Sequence, residues 1–190
     1  MRLLLASKSP RRRQLLAETG LPVECVSIDV DEHIDSPLPP ADVAEHLARR
    51  KAAAFPQDKI DADCVLVTAD TTVVLDGHVL GKPANRDEAM TMLHRLAGRQ
   101  HTVYTGVCLR SRNDEVSFTE STEVHFRQLT DEEIAHYVDT YKPYDKAGAY
   151  GIQEWIGMVG ISRIEGCYYN VMGLPVARLY ETLCIKFLSR

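Results

Sequence analysis

The sequence contains no apolar run approaching the roughly 20 residues that cross a bilayer as a helix. Its opening, MRLLLASKSPRRR, carries too short an apolar stretch for a secretory signal, so a cytoplasmic protein with no membrane partner is expected. The five cysteines, Cys25, Cys64, Cys108, Cys167 and Cys184, are odd in number and show no CxxC spacing. They signal neither a disulfide framework nor a structural zinc site, and buried free thiols are the expectation. Positive charge is short too: 22 Lys and Arg stand against 27 Asp and Glu, a net charge of −5, which argues against a nucleic-acid binder that neutralises many phosphates. An anionic ligand must then be met by a few local cations. Repeats and low-complexity linkers are missing as well. What is present is ordinary globular usage, 45% hydrophobic and 26% charged over 190 residues, enough for a single domain over 1–190 or two lobes sharing a sheet.

The chain opens as strand, polar turn and helix. Leu3 to Leu5 are apolar; Ser9 suits an N-cap and Pro10 the first helical position, and Gly20 can close the helix left-handed. Free N–H groups at that helix start attract an anion, and Lys8, Arg11 and Arg12 add donors to it. Leu21 to Ile28 reads as a second strand. The loop after it carries Asp29, Asp31 and Glu32, which suit a magnesium or manganese ion as well as they suit a solvated acidic loop. A helix over Asp42 to Phe55 places Lys51 in its last turns, as a phosphate ligand or a solvated lysine.

Val65 to Pro83, VLVTADTTVVLDGHVLGKP, is the stretch with most chemistry in it. Val65 to Val67 form an interior-type strand ending near Asp70. Asp76-Gly77 favours a tight hairpin turn, and the return strand delivers Lys82. An acid and an ammonium brought together suit phosphate chemistry, although Asp70 also fits a strand-end salt bridge. Further on, Asn85 with Glu88 and Thr130 with Glu133 have capping-box spacing, opening helices that end at Gly98 and before Pro143. His101 to Arg110 and Val116 to Arg127 read as antiparallel strands. Tyr141 to Gln153, YKPYDKAGAYGIQ, has the look of a ligand loop: Gly148 and Gly151 allow close approach, Lys146 can meet a phosphate, and the Gln153 amide can both donate to and accept from a base. A plain glycine-rich turn is the other reading. Ile156 to Ile164 and Cys167 to Val171 read as strands, and Gly173-Leu174-Pro175 precedes a last helix to Leu188.

Four segments in this order, SKSPRR (Ser7 to Arg12), ADTTV (Ala69 to Val73), LGKP (Leu80 to Pro83) and DKAGAYGIQ (Asp145 to Gln153), closely resemble the Maf family, and the resemblance runs nearly end to end. It implies a nucleoside triphosphate pyrophosphatase that needs a divalent cation, Mg2+ or Mn2+, with a link to septum formation in dividing bacteria. It also implies a mixed α/β fold related to inosine triphosphate pyrophosphatases, two lobes about a deep cleft, and a homodimer. By the same resemblance Asp70 is the general base, Arg11, Arg12, Lys51 and Lys82 are phosphate-binding cations, Glu32 is a cleft acid and metal ligand with Asp70, and Ser7 adds a hydroxyl. Arg11, Thr71 and Gln153 match the specificity positions of the branch acting on dTTP and UTP. The alternatives are a modified purine triphosphate such as N7-methylated GTP, or a nucleotide-sensing regulator of septum formation without turnover. The chain departs from the family pattern at Glu154-Trp155, where a glycine is usual, and at Lys142, which stands for an acid.

Overall fold

The computed structural model describes residues 1–34 and 37–188. The fold is mixed α/β, as expected. Its sheet has the strand order β2-β1-β3-β5-β6-β7, with β4 also paired to β3. The strands are β1 (Arg2–Ala6), β2 (Val23–Val26), β3 (Cys64–Leu75), β4 (His78–Leu80), β5 (Gln100–Arg110), β6 (Glu115–Phe126) and β7 (Ile161–Glu165). The helices are α1 (Pro10–Ala17), α2 (Pro40–Ala54), α3 (Arg86–Leu96), α4 (Asp131–Tyr141), α5 (Trp155–Gly160), α6 (Tyr168–Met172) and α7 (Val176–Leu183). β1 runs parallel to both β2 and β3, whereas β4 on β3 and β7 on β6 are antiparallel. Among the described residues no helix is long and apolar enough to cross a membrane.

The chain forms two compact units, one of Met1–Asp70, Thr105–Glu120 and Gly173–Arg190, the other of Thr71–Tyr104 and Ser121–Met172. In the first, Leu4, Ala6, Ala48, Ala52, Phe55, Ile60, Cys64, Leu66 and Cys108 form one apolar cluster. β3 is buried without alternation from Cys64 to Ala69, the pattern of a parallel strand covered on both faces. α2 lies directly on β5: a Cβ at Gly106 would stand 2.2 Å from the Glu45 nitrogen and 2.3 Å from the Ala44 carbonyl carbon. The Glu45 carboxylate accepts from Ser117 Oγ at 2.6 Å and Thr119 Oγ1 at 2.8 Å. In the second unit the cluster runs from Val73 through Leu93, Val124, Ile134 and Tyr137 to Ile156. Asp76 and Gly77 both have positive φ, 52° and 75°, as the tight hairpin turn requires.

The helix starts follow the sequence closely. Ser9 caps α1 by accepting from the Arg12 N–H, and at α4 both halves of the Thr130–Glu133 box are made, at 3.2 and 2.9 Å. At α3 only half is made as expected: Asn85 accepts from the Glu88 N–H, but the Glu88 carboxylate takes the N–H of Ala84.

Other readings are corrected. Asp70 is not at a strand end, because β3 continues through it to Leu75. Residues 155–160 and 168–172 are helices, leaving only Ile161–Glu165 as strand. Gly157 lies so close to the Ile152 carbonyl that a Cβ would stand 1.8 Å from its oxygen, and Asn170 is pinned by bonds to the Val103 carbonyl and Thr122 Oγ1. Packing of that kind overrides the β-branched preference of both segments. The last helix ends at Leu183 and continues as a π-helical turn. Of the thiols, Cys64 and Cys108 are buried, but Cys25 is exposed.

Candidate functional site

Two constellations hold the candidate residues, one in each unit. The first is built where α2 meets β3. Thr68 Oγ1 donates to the Ala48 carbonyl at 2.7 Å and is fully buried, tying the strand to the helix. Two residues along β3 on the same face stands Asp70, and about one helical turn past Ala48 stands Lys51. The tie therefore brings them opposite each other: Lys51 Nζ lies 2.6 Å from Asp70 Oδ1 and 2.8 Å from Glu32 Oε1. The Lys51 and Asp70 side chains are only 13% and 14% exposed, so water screens this pair weakly. Arg50 donates to the His33 carbonyl and Asp31 accepts the His33 N–H at 2.9 Å, which fastens the loop carrying Glu32 to α2.

The α1 cations join the same unit. Arg12 is half-buried, and its Nε donates to the Gly173 carbonyl at 2.7 Å. Burial lowers the proton affinity of its guanidinium; Asp70 and Glu32 act in the opposite sense, and Arg11 adds to the lowering. Arg12 thus senses the charges of Asp70, Glu32 and Arg11 together. Ser7 Oγ accepts the Ser9 N–H at 3.2 Å, which shapes the turn before α1 and leaves the hydroxyl proton as a donor.

In the second unit, the β3–β4 register pairs Val73 with Leu80, so Gly81 and Lys82 leave the ribbon beside Thr72 and Thr71. The Gly81 carbonyl accepts the Gly148 N–H at 3.0 Å, which joins this end to the 147–149 turn, and Lys82 is exposed. Gly148 has φ +68°, and a Cβ there would stand 3.0 Å from Val73 Cγ1. The Val73 side chain thus occupies the space that a side chain at position 148 would need. Lys146 is buried, with its ammonium 2.8 Å from Asp145 and 3.0 Å from Glu154. The other Glu154 oxygen accepts from the Tyr137 hydroxyl, which in turn accepts the Gly151 N–H at 3.1 Å. Burial and then Glu154 push the Tyr137 phenol well above its usual range, so it stays a donor. Gln153 Oε1 and Thr72 Oγ1 are both buried without a partner.

Asp70, Lys51, Glu32, Arg11 and Arg12 thus belong to one unit, and Thr71, Lys82, Lys146 and Gln153 to the other. Thr68 and Tyr137 were not singled out from sequence as site residues. A threonine inside an otherwise apolar interior strand, and a tyrosine on the buried stripe of α4, each need a buried hydrogen-bond partner, and that need is the signal they carry. As to metals, Asp70 and Glu32 both point an oxygen at the same Lys51 ammonium. Hard oxygens converging on one cation are the donor set that suits magnesium or manganese together with substrate phosphates. Among the described residues, two other groups of ligand-type side chains lie elsewhere: Asp61, Asp63 and Cys64, and Glu123, His125 and Glu165. Arg2 pairs with Asp61 at 3.0 Å in the first, and Arg163 with Glu165 at 3.1 Å in the second.

Comparison with known proteins is consistent from end to end. The dTTP/UTP pyrophosphatase of Bacteroides thetaiotaomicron is 47% identical over 95% of this chain and 94% of its own length. A protein of the same name from Porphyromonas gingivalis is 48% identical over 96% of this chain and 92% of its own. Among solved structures, the Ham1 protein of Staphylococcus aureus aligns with 66% of this chain and 72% of its own, with a TM-score of 0.45 and 11% identity. The family model described as Maf-like protein matches residues 2–185, and the chain belongs to that family.

Proposed function

We propose that this protein hydrolyses nucleoside triphosphates to nucleoside monophosphate and pyrophosphate, with dTTP and UTP as preferred substrates. The curated relatives carry that activity in their names, and the observation that supports it most is the convergence of Asp70 and Glu32 on Lys51. Triphosphate hydrolysis needs cations for the phosphate oxygens and a carboxylate for the attacking water, and this grouping holds both within hydrogen-bond distance. Asp70 and Glu32 would hold the divalent ion, which when bound supplies neutralising charge for the phosphates and makes a nearby water more acidic.

Asp70 orients the water for attack on the α-phosphorus and accepts its proton. Lys51, which the carboxylates hold in the absence of nucleotide, turns its ammonium to the phosphates as their charge arrives. Arg11, Arg12 and the Ser7 hydroxyl hold non-bridging oxygens, and the exposed Lys82 ammonium balances the charge that develops on the departing pyrophosphate. Most of the acceleration is then positioning and charge stabilisation. Thr71 and Gln153 select the base. The Gln153 carboxamide offers both a donor and an acceptor, and thymine and uracil present N3–H between two carbonyls.

The experiment is release of pyrophosphate, read through a coupled inorganic pyrophosphatase, across dTTP, UTP, CTP, ATP, GTP and N7-methyl-GTP. The expected result is highest kcat/KM for dTTP and UTP. Release of single phosphates without pyrophosphate would overturn the reaction, and preference for GTP or its methylated form would overturn the base preference alone. Tight binding of dTTP without turnover would point instead to a nucleotide sensor.

A further inference from the structure

Two carboxylates that converge on one point can take a divalent ion only if that point is open to it. Here the point is filled by the protein's own cation: Lys51 Nζ lies 2.6 Å from Asp70 Oδ1 and 2.8 Å from Glu32 Oε1. Each member of the trio is held in place. Thr68 ties β3, and with it Asp70, to the helix that carries Lys51, while Arg50 and Asp31 bind the backbone of His33, next to Glu32.

We infer that Lys51 is a placeholder for the divalent ion: its ammonium closes the Asp70–Glu32 pair to free metal, and the pair opens only when a triphosphate draws the ammonium away. The inference rests on the reading of Asp70 and Glu32 as the ligands of that ion. It goes beyond that reading by fixing the order of loading. Nucleotide and ion come onto the enzyme together, and the free enzyme keeps no resident metal.

The charges around the pair favour this order. Arg12 responds to Asp70, Glu32 and Arg11, so three cations, Arg11, Arg12 and Lys51, stand with two carboxylates. That balance is already positive, and a dication arriving alone would add to it. Water relieves little of the repulsion, because the Lys51 and Asp70 side chains are only 13% and 14% exposed. The ion would also have to break two charge-assisted hydrogen bonds and leave the displaced ammonium close beside it without a partner. A triphosphate reverses each of these costs. Its oxygens bring negative charge, receive the ammonium, and give a magnesium or manganese ion the further ligands it needs. Lys51 can make the move with α2 in place, since its four-carbon stem is flexible. Nucleotide and ion therefore bind with positive coupling, which by linkage is equal in both directions.

The test uses Mn2+ alone, its free concentration read by electron paramagnetic resonance, titrated into metal-stripped full-length protein without nucleotide. Wild type and Lys51→Arg, which keeps the charge, should take up little. Lys51→Met and Lys51→Gln should bind one Mn2+ roughly tenfold more tightly or better, the least expected from removing a unit charge beside a dication even with the screening of water. Adding Asp70→Asn to Lys51→Met should remove the gain. With a dTTP analogue whose α,β-bridging oxygen is a methylene, wild type should hold Mn2+ and Asp70→Asn should not. A folded Lys51→Met or Lys51→Gln that binds Mn2+ no better than wild type overturns the placeholder. So does a wild type that binds Mn2+ without nucleotide at a site lost in Asp70→Asn, an arm that needs no Lys51 variant to fold. If wild type with the analogue holds Mn2+ no better than Asp70→Asn does, and the Lys51 variants bind none, the assignment of the ligands themselves fails, a different result from the first two.

Discussion

Lys51 and Asp70 meet at 2.6 Å because each stands one step beyond a shared anchor, the hydrogen bond from Thr68 to the Ala48 carbonyl. The strand supplies a step of two residues and the helix a step of three. Any change that lets α2 slide on β3 must alter the distance between the ammonium and the carboxylate.

Removing the acid should stop the chemistry. Asp70→Asn keeps the size of the side chain and a contact for Lys51, and turnover of dTTP should fall by roughly 10²-fold or more, as for loss of a positioned acid–base group. Pyrophosphate release measures this, with nucleotide binding and thermal unfolding as controls. A folded variant with wild-type turnover would take Asp70 out of the mechanism.

Loosening the anchor should act more gently. Thr68→Val replaces the hydroxyl with a methyl of similar volume, leaving the Ala48 carbonyl with its helical bond. Stability should drop by about 1 kcal/mol, and KM for dTTP should rise as Lys51 loses its fixed place. Urea denaturation and steady-state kinetics on the same preparation test both parts, and an unaltered KM would show that the helix is held by other contacts.

Chelation should abolish activity, because a handful of ammonium and guanidinium groups cannot neutralise a triphosphate while water approaches its α-phosphorus. Protein stripped with excess EDTA should be silent toward dTTP and recover with Mg2+ or Mn2+. Full hydrolysis in the chelator would show that the carboxylates act without an ion.

Acid should weaken the fold through His101. Its ring is 2% exposed, with Nε2 against the Tyr150 hydroxyl at 2.7 Å and Nδ1 buried without a partner. Burial, helped by His125, lowers its pKa from 6.5 to about 3. Between those values the unfolded chain takes up a proton that the folded chain refuses. Stability therefore falls as pH drops through that window, by at most about 1.4 kcal/mol per pH unit from this group. His101→Gln should flatten the wild-type slope of unfolding free energy between pH 6.5 and 4. Equal slopes would mean that His101 is protonated in the folded state.

The sequence displayed best what is local. Thr130 and Glu133 are three residues apart and Asp76-Gly77 are adjacent, so cap and turn can be read directly from residue order. The short helices at Trp155–Gly160 and Tyr168–Met172 were hidden, because what stabilises them is distant: the Ile152 carbonyl packed against Gly157, and Val103 and Thr122 holding Asn170. The same division runs through the site. Asp70, Lys51 and Glu32 could be named as residue types suited to phosphate and metal, but the convergence of both acids on one ammonium is a fact of tertiary packing. Likewise Glu154 was visible as a departure from the family pattern, whereas its bonds to Lys146 and Tyr137 needed the fold.

Gly106 carries a consequence for how this protein can vary. Even the smallest side chain there would strike the backbone of α2 at Ala44 and Glu45, and to make room the helix would have to rise off the sheet, taking Lys51 with it. In a library randomised at this codon and selected for dTTP hydrolysis, survivors should carry glycine almost without exception, although Ala44, the residue of α2 that Gly106 abuts, lies seven positions along the helix from Lys51. A hydrogen atom at position 106 thus constrains a lysine that it never touches.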